Sequence, residues 1–125
     1  MPRMDKQPAK ESKPMRELGK IALKFPETEA GTSCNKTAYK ARGKSFLFVG
    51  ADADTWNAMF KPGDSKAEFQ SLAIQDPNRY SLGKTGWATL TFSHKEAPKS
   101  ADLKRWIEES FRQIAPKKLV AEWEG

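Results

Sequence analysis

The sequence predicts an α+β fold: a two-layer α/β sandwich of one antiparallel sheet with helices on it, in the order α-β-β-β-α-β-β-α. Three observations carry this expectation. Apolar residues recur at helical spacing near both ends of the chain. Between them, apolar and polar residues alternate in short runs cut by glycine, aspartate and proline. The longest unbroken apolar run, at 46–49, is far short of the ~20 residues of a membrane-spanning helix, so no membrane partner is expected.

Residues 1–12 hold Pro, Lys, Gln, Glu and Ser with almost no core formers, which predicts a disordered basic arm. One domain is expected over 13–120, followed by a C-terminal tail at 121–125. The first helix is expected over 13–25. Ser12 is placed to cap it, and Pro14 sits in the first turn, where its missing N–H loses no partner. Met15, Leu18, Ile21, Ala22 and Phe25 form its apolar stripe. Pro26 ends it, and 27–31 reads as a polar loop. Strands are expected at 36–42, 45–51 and 55–61, joined by turns at Gly43-Lys44 and Asp52-Ala53-Asp54. After the Pro62-Gly63 break, Ser65 and Glu68 form a capping box for a short helix with Phe69, Leu72 and Ala73 inward. Asp76-Pro77 stops it, and strands at 79–82 and 87–93 flank the turn at 83–86. From a Ser100 cap, Leu103, Trp106, Ile107, Phe111 and Ile114 mark the last helix, which Pro116 closes.

Leu, Ile, Val and Phe supply only 21 of the 125 residues, so the core must lean on rings, including those of four tryptophans. One histidine, His94, and one cysteine, Cys34, cannot build a tetrahedral His/Cys metal site, and they leave a single pairing for Cys–His catalysis. Gly83-Lys84-Thr85 looks like the end of a phosphate-binding loop. Asn78, however, stands where that loop needs glycine, and a strand follows where it needs a helix. No Gly-x-Gly-x-x-Gly run is present for a dinucleotide. The sequence therefore presents no catalytic constellation and calls for no cofactor. The lone cysteine fits a reducing compartment and the first residues lack a secretory apolar segment, so a cytoplasmic location is expected.

The formal charge of +6 is unevenly placed. Residues 1–24 carry seven basic and three acidic side chains, whereas 30–51 carry Lys36, Lys40, Arg42 and Lys44 and no acid. Strand alternation puts Lys36, Ala38, Lys40 and Arg42 on one face, with Thr37, Tyr39 and Ala41 on the other. Lys61 ends the third strand, and Lys84 lies in the last strand turn. Trp56 and Phe60 share a face of their strand, as Phe46 and Phe48 do of theirs. Each aromatic set has two readings: filling of the core, or a stacking platform beside cations. The lysines likewise read as a solvated face or as a phosphate-binding row.

Several short motifs resemble the MmcQ/YjbR-like family. Phe25-Pro26-Glu27-Thr28-Glu29, Gly31-Thr32-Ser33 and Thr37-Ala38-Tyr39-Lys40-Ala41-Arg42-Gly43-Lys44 are similar to its opening signature. Asp76-Pro77-Asn78-Arg79-Tyr80, followed by Gly83-Lys84-Thr85-Gly86-Trp87, resembles its second. Glu109-Ser110-Phe111 and Ala115-Pro116-Lys117-Lys118 resemble the end of its last helix. The likeness spans about 18–119. Phe111 departs from a frequent tyrosine, and Cys34-Asn35 from a frequent aromatic–glycine pair. The resemblance implies a secretion-chaperone-like, double-wing-type fold and a DNA-binding role that rests on fold analogy. It marks Glu29, Tyr39, Lys40, Lys61, Lys84, Trp87 and Ser110 as signature positions, none with a catalytic role.

The resulting expectation is a non-enzymatic binding module. It would meet DNA non-specifically through Lys36, Lys40, Arg42, Lys44, Lys61 and Lys84, with Trp87 or Trp56 stacking on a base if exposed. The alternative is a protein- or small-ligand-binding module of chaperone-like fold with no nucleic-acid role.

Overall fold

The N-terminal stripe of Met15, Leu18 and Ala22 becomes the buried side of helix α1 (Lys13–Leu23) in the computed structural model, which describes residues 12–125. The arm expected over 1–12 lies, apart from Ser12, outside the described residues. After α1 come β1 (Thr28–Ser33), β2 (Lys36–Ala41), β3 (Lys44–Ala51) and β4 (Thr55–Phe60). Then follow α2 (Lys66–Gln75), β5 (Tyr80–Leu82), β6 (Ala88–Ser93), α3 (Ser100–Ile114) and α4 (Lys117–Glu124). The six strands form one antiparallel sheet in the order β1-β2-β3-β4-β6-β5. The architecture is the expected α+β sandwich, with one more strand at its start and one more helix at its end.

The added strand, β1, occupies most of the expected polar loop. It pairs with β2 from Thr28↔Ala41 to Ser33↔Lys36. An edge strand needs little apolar pattern, because its backbone pairs on one side and its side chains stay largely solvated. The β1–β2 hairpin closes on Cys34 (φ 48°) and Asn35 (φ 70°), a two-residue turn with both centres left-handed. The β2–β3 turn repeats this with Arg42 (φ 48°) and Gly43 (φ 82°), so it sits one residue earlier than Gly43-Lys44.

The added helix, α4, runs through the segment expected to be a tail. Leu119 is buried, and the Trp123 ring lies 5.2 Å from both Phe25 and Phe111. Arg112 fixes its end, donating to Glu124 Oε2 at 2.7 Å and lying over the Trp123 ring. Pro116 thus separates two helices.

Helices and sheet meet over a core of rings. Phe25 and Phe111 stack at 4.5 Å, Phe60 and Trp106 at 5.8 Å, and Phe69 meets Phe60, Trp106 and Tyr80 edge-on. Such pairs each add roughly 0.5–1.5 kcal/mol beyond the area they bury, which suits a chain short of aliphatics. Trp56 and Phe60 are fully buried on this side.

A bulge decides the other aromatic set. Register passes from Tyr39↔Leu47 to Lys40↔Ser45, leaving Phe46 as the extra residue on β3. Phe46 therefore joins Leu47 in the core, packed edge-on against Phe25 and Phe111. Phe48 points the opposite way. The two do not share a face.

Two expected caps are replaced by tertiary contacts. Ser100 is the first residue of α3, not its cap, and its hydroxyl ties α3 to Glu17 of α1. Ser65 makes no capping bond to its own helix. Its hydroxyl donates instead to Glu109 Oε2 at 2.7 Å, while the Gly63 and Ser65 N–H groups both donate to Glu109 Oε1 at 2.9 Å. The next residue, Ser110, accepts from the Lys61 N–H at 2.8 Å and donates to the Phe46 carbonyl at 2.6 Å. These two neighbours on α3 clamp the segment between β4 and α2 and the bulge beside it.

Candidate functional site

Strand alternation leaves one side of the sheet without a helix among the described residues. The packing of α1 on β1, β2 and β3, of α3 on β3 and β4, and of α2 on β5 lies on the side that buries Tyr39, Leu47, Phe60 and Leu90. The other side can be read in rows across the strands. Gly31, Ala38, Phe48, Met59, Thr89 and Ser81 form a central row. On one flank lie Ser33, Lys36, Gly50, Asn57 and Thr91. On the other lie Glu29, Lys40 and Ser45, continued by Lys61 and Trp87 just beyond the paired ends of β4 and β6.

From β1 to β4 this central row is an apolar band, with lysines on both sides. Its aromatic part is a pair: the Phe48 and Trp87 rings lie 5.9 Å apart and are tilted by 56°. Both are half-buried. Glu29 is the only acid among the strand positions of this face, directly opposite Lys40.

Each of the three lysines lies over a glycine. A Cβ on Gly50 would meet Lys36 Cγ at 3.0 Å and Nζ at 3.1 Å. A Cβ on Gly31 would lie 3.8 Å from Lys40 Nζ, and one on Gly86 3.5 Å from Lys61 Cε. The missing side chains let the lysines lie back over the glycines, the Lys36 and Lys40 ammonium groups included. Lys36 is held further by donating to Asn57 Oδ1 at 2.6 Å. Among the described residues, none of Lys36, Lys40, Lys61 and Lys84 is in a salt bridge with a carboxylate.

The other expected site residues lie elsewhere. Arg42 leaves the cationic row, because its left-handed backbone ends β2 and its guanidinium makes a two-bond pair with Glu27 at 2.6 and 2.7 Å. That pairing holds the Glu27 carboxyl below its usual range. Lys44 lies opposite Ala41, on the helix side of β3, exposed at the start of the strand. Lys84 is exposed in the β5–β6 turn, in a shallow depression with Lys66, Gln70, Ile74 and Leu82. Tyr39 is a core residue whose hydroxyl fits under α1 where Gly19 has no side chain. Ser110 is fully buried in the clamp, so its role is structural.

Cys34 and His94 form no catalytic pair. The first is in the β1–β2 turn, and the second follows β6, with β3 and β4 between their strands at ~4.8 Å per spacing. The His94 Nε2 atom contacts the Asp52 carbonyl oxygen at 2.8 Å instead. Among the described residues, no three His, Cys, Asp or Glu side chains converge on a common point, and no helix is long and apolar enough to cross a membrane.

Sequence reading left Asn57, Met59, Thr89 and Thr91 out of the site. Alternation from Trp87 through β6 was a signal for the two threonines, but only the strand order brings them beside β4.

These features define a class: an α+β sheet domain with one helix-free, lysine-flanked face. No family model, curated protein or solved structure matches the chain. The likeness to the MmcQ/YjbR-like family rests on its motifs alone.

Proposed function

We propose that the protein is a non-enzymatic nucleic-acid-binding module whose contact surface is the open face of the sheet. The observation that carries this reading is the arrangement of Lys36, Lys40 and Lys61 around an apolar band, unpaired by carboxylates and held along the sheet over glycines. A polyanion gains from such a surface by releasing its condensed counterions. Three phosphate contacts give an affinity that falls about 20- to 40-fold between 50 and 200 mM salt. Fluorescence anisotropy of labelled oligonucleotides measures this, with Lys36, Lys40 and Lys61 changed to alanine together as the comparison. Affinity that is flat with salt, or unchanged in the triple variant, refutes the reading. The motif resemblance points the same way, and the cytoplasmic location expected from the lone cysteine is part of the proposal.

One observation favours a protein partner instead. Ile74 on α2 is 82% exposed beside Leu82 and Lys84, an unusual place for a large aliphatic side chain. A pull-down lost in Ile74→Lys but retained in the lysine triple variant would favour that reading.

A further inference from the structure

We propose that this face takes single-stranded nucleic acid, with unstacked bases lying on Phe48 and Trp87 and phosphates on Lys36, Lys40 and Lys61. The inference rests on the nucleic-acid reading and names the form of the polymer. Three features of the face select it. First, Phe48 lies in the central row between the cations and Trp87 lies across from Lys61 on the flank, 5.9 Å from Phe48, so a chain following the charge passes over the rings. A duplex keeps its bases stacked inside and gains nothing from two rings on a sheet, whereas a single strand offers a free π-face at every nucleotide.

Second, groups that can hydrogen-bond base edges adjoin the rings: the Asn57 amide nitrogen, whose oxygen already accepts from Lys36, and the Thr91 hydroxyl on one flank, with the Thr89 hydroxyl in the central row. Such donors and acceptors reach the edges of splayed-out bases, while the paired edges of a duplex are already satisfied. Third, the strand positions provide neither a projecting helix nor a loop to enter a groove. The face spans β2 to β6, about 14 Å at ~4.8 Å per strand, which suits the two or three bases that a sheet of this width stacks elsewhere in RNA recognition.

The test compares a 12-nucleotide oligo-dT, a 12-nucleotide oligo-U and a 12-base-pair duplex at one salt concentration, on the full chain. Either single strand is expected to bind at least fivefold tighter than the duplex. Phe48→Ala and Trp87→Ala each reduce single-strand affinity at least fivefold and leave duplex affinity unchanged. Phe48→Leu and Trp87→Phe, which preserve most of the packing, guard against loss of fold. Single-strand binding quenches tryptophan emission, and Trp87→Phe removes most of that quench, since Trp56 and Trp106 are buried and Trp123 packs on Phe25 and Phe111 on the helix side of the sheet. Equal binding of duplex and single strand, with the ring variants neutral, overturns this inference and leaves the nucleic-acid reading standing. A quench that persists in Trp87→Phe overturns the placement of the bases. Failure of all three polymers to bind overturns both readings.

Discussion

Ser110→Ala is the most informative single change for the architecture, because one hydroxyl joins three elements. Its oxygen accepts the Lys61 N–H at 2.8 Å, and its proton goes to the Phe46 carbonyl at 2.6 Å. Ser110 and Phe46 are fully buried, so bulk water cannot replace the lost hydroxyl donor at the carbonyl. A stranded buried donor or acceptor costs about 1–3 kcal/mol, and two are stranded here. Alanine recovers roughly 0.5 kcal/mol through its higher helix propensity, and partial relaxation at Lys61 lowers the total further. The expected net loss is about 2–4 kcal/mol, a large part of the ~5–15 kcal/mol that holds a domain of this size together. That corresponds to a fall in Tm of roughly 8–15 °C. Urea unfolding followed by circular dichroism and by tryptophan fluorescence measures it, with an unchanged m-value showing that the native and unfolded ensembles are otherwise the same. A loss below 0.5 kcal/mol refutes the clamp as the anchor of the bulge. The change also loosens the backbone of Lys61, so nucleic-acid affinity should fall with the stability and not independently of it.

Three other outcomes follow from the geometry. Cys34→Asn should stabilise by about 0.5–1 kcal/mol in urea, because cysteine at φ 48° is strained where asparagine is tolerated; a destabilised variant counts against the turn assignment. Gly50→Ala should cost about 1 kcal/mol, since the half-buried Lys36 stem must shift and strain its bond to Asn57, and it should weaken oligonucleotide binding as much as Lys36→Ala does. The Arg105 guanidinium, hydrogen-bonded to Glu68, holds the Glu68 carboxyl below its usual range. A lowered folded pKa gives stability that is present above the unfolded value near pH 4.5 and is lost as pH falls through the lowered one. Glu68→Gln should therefore cost about 0.2–1 kcal/mol at pH 7, since both side chains are more than 40% exposed, and progressively less as the pH falls below 4.5.

The parts of the fold that were legible in the sequence are those in which side chains declare a buried face. The stripes of α1 and α3 and the alternation of β4 and β6 appear in the structure within a residue or two of their expected ends. What sequence pattern could not show depends on partners distant in the chain. β1 is a strand because β2 offers it a free edge, and α4 is anchored because Trp123 finds Phe25, 98 positions away. Ser65 satisfies every local rule for a capping box, but Glu109 outcompetes its own helix. Glu109 and Ser110 were legible as motif residues, while their use as a clamp required knowing that α3 crosses the end of β4. Arg42 departs from the expected row for a simpler reason: β2 ends at Ala41, and Arg42 already belongs to a left-handed turn where strand alternation no longer applies.

The candidate face depends on a similar subtlety. Had β3 continued without its bulge, Phe46 and Phe48 would point the same way, and the rings would all lie in the core or all lie in solvent. The extra residue splits them. Phe46 closes the core against Phe25 and Phe111, and Phe48 is free to meet Trp87 on the open side. The clamp stabilises that split, since the carbonyl bound by Ser110 belongs to the bulged residue itself. The N–H bound by the same hydroxyl belongs to Lys61, one of the three cations beside the rings. The buried serine therefore sets the positions of an aromatic and a cation that it never touches by side chain. A motif residue with no surface exposure can in this way be tied to a surface site through two backbone bonds.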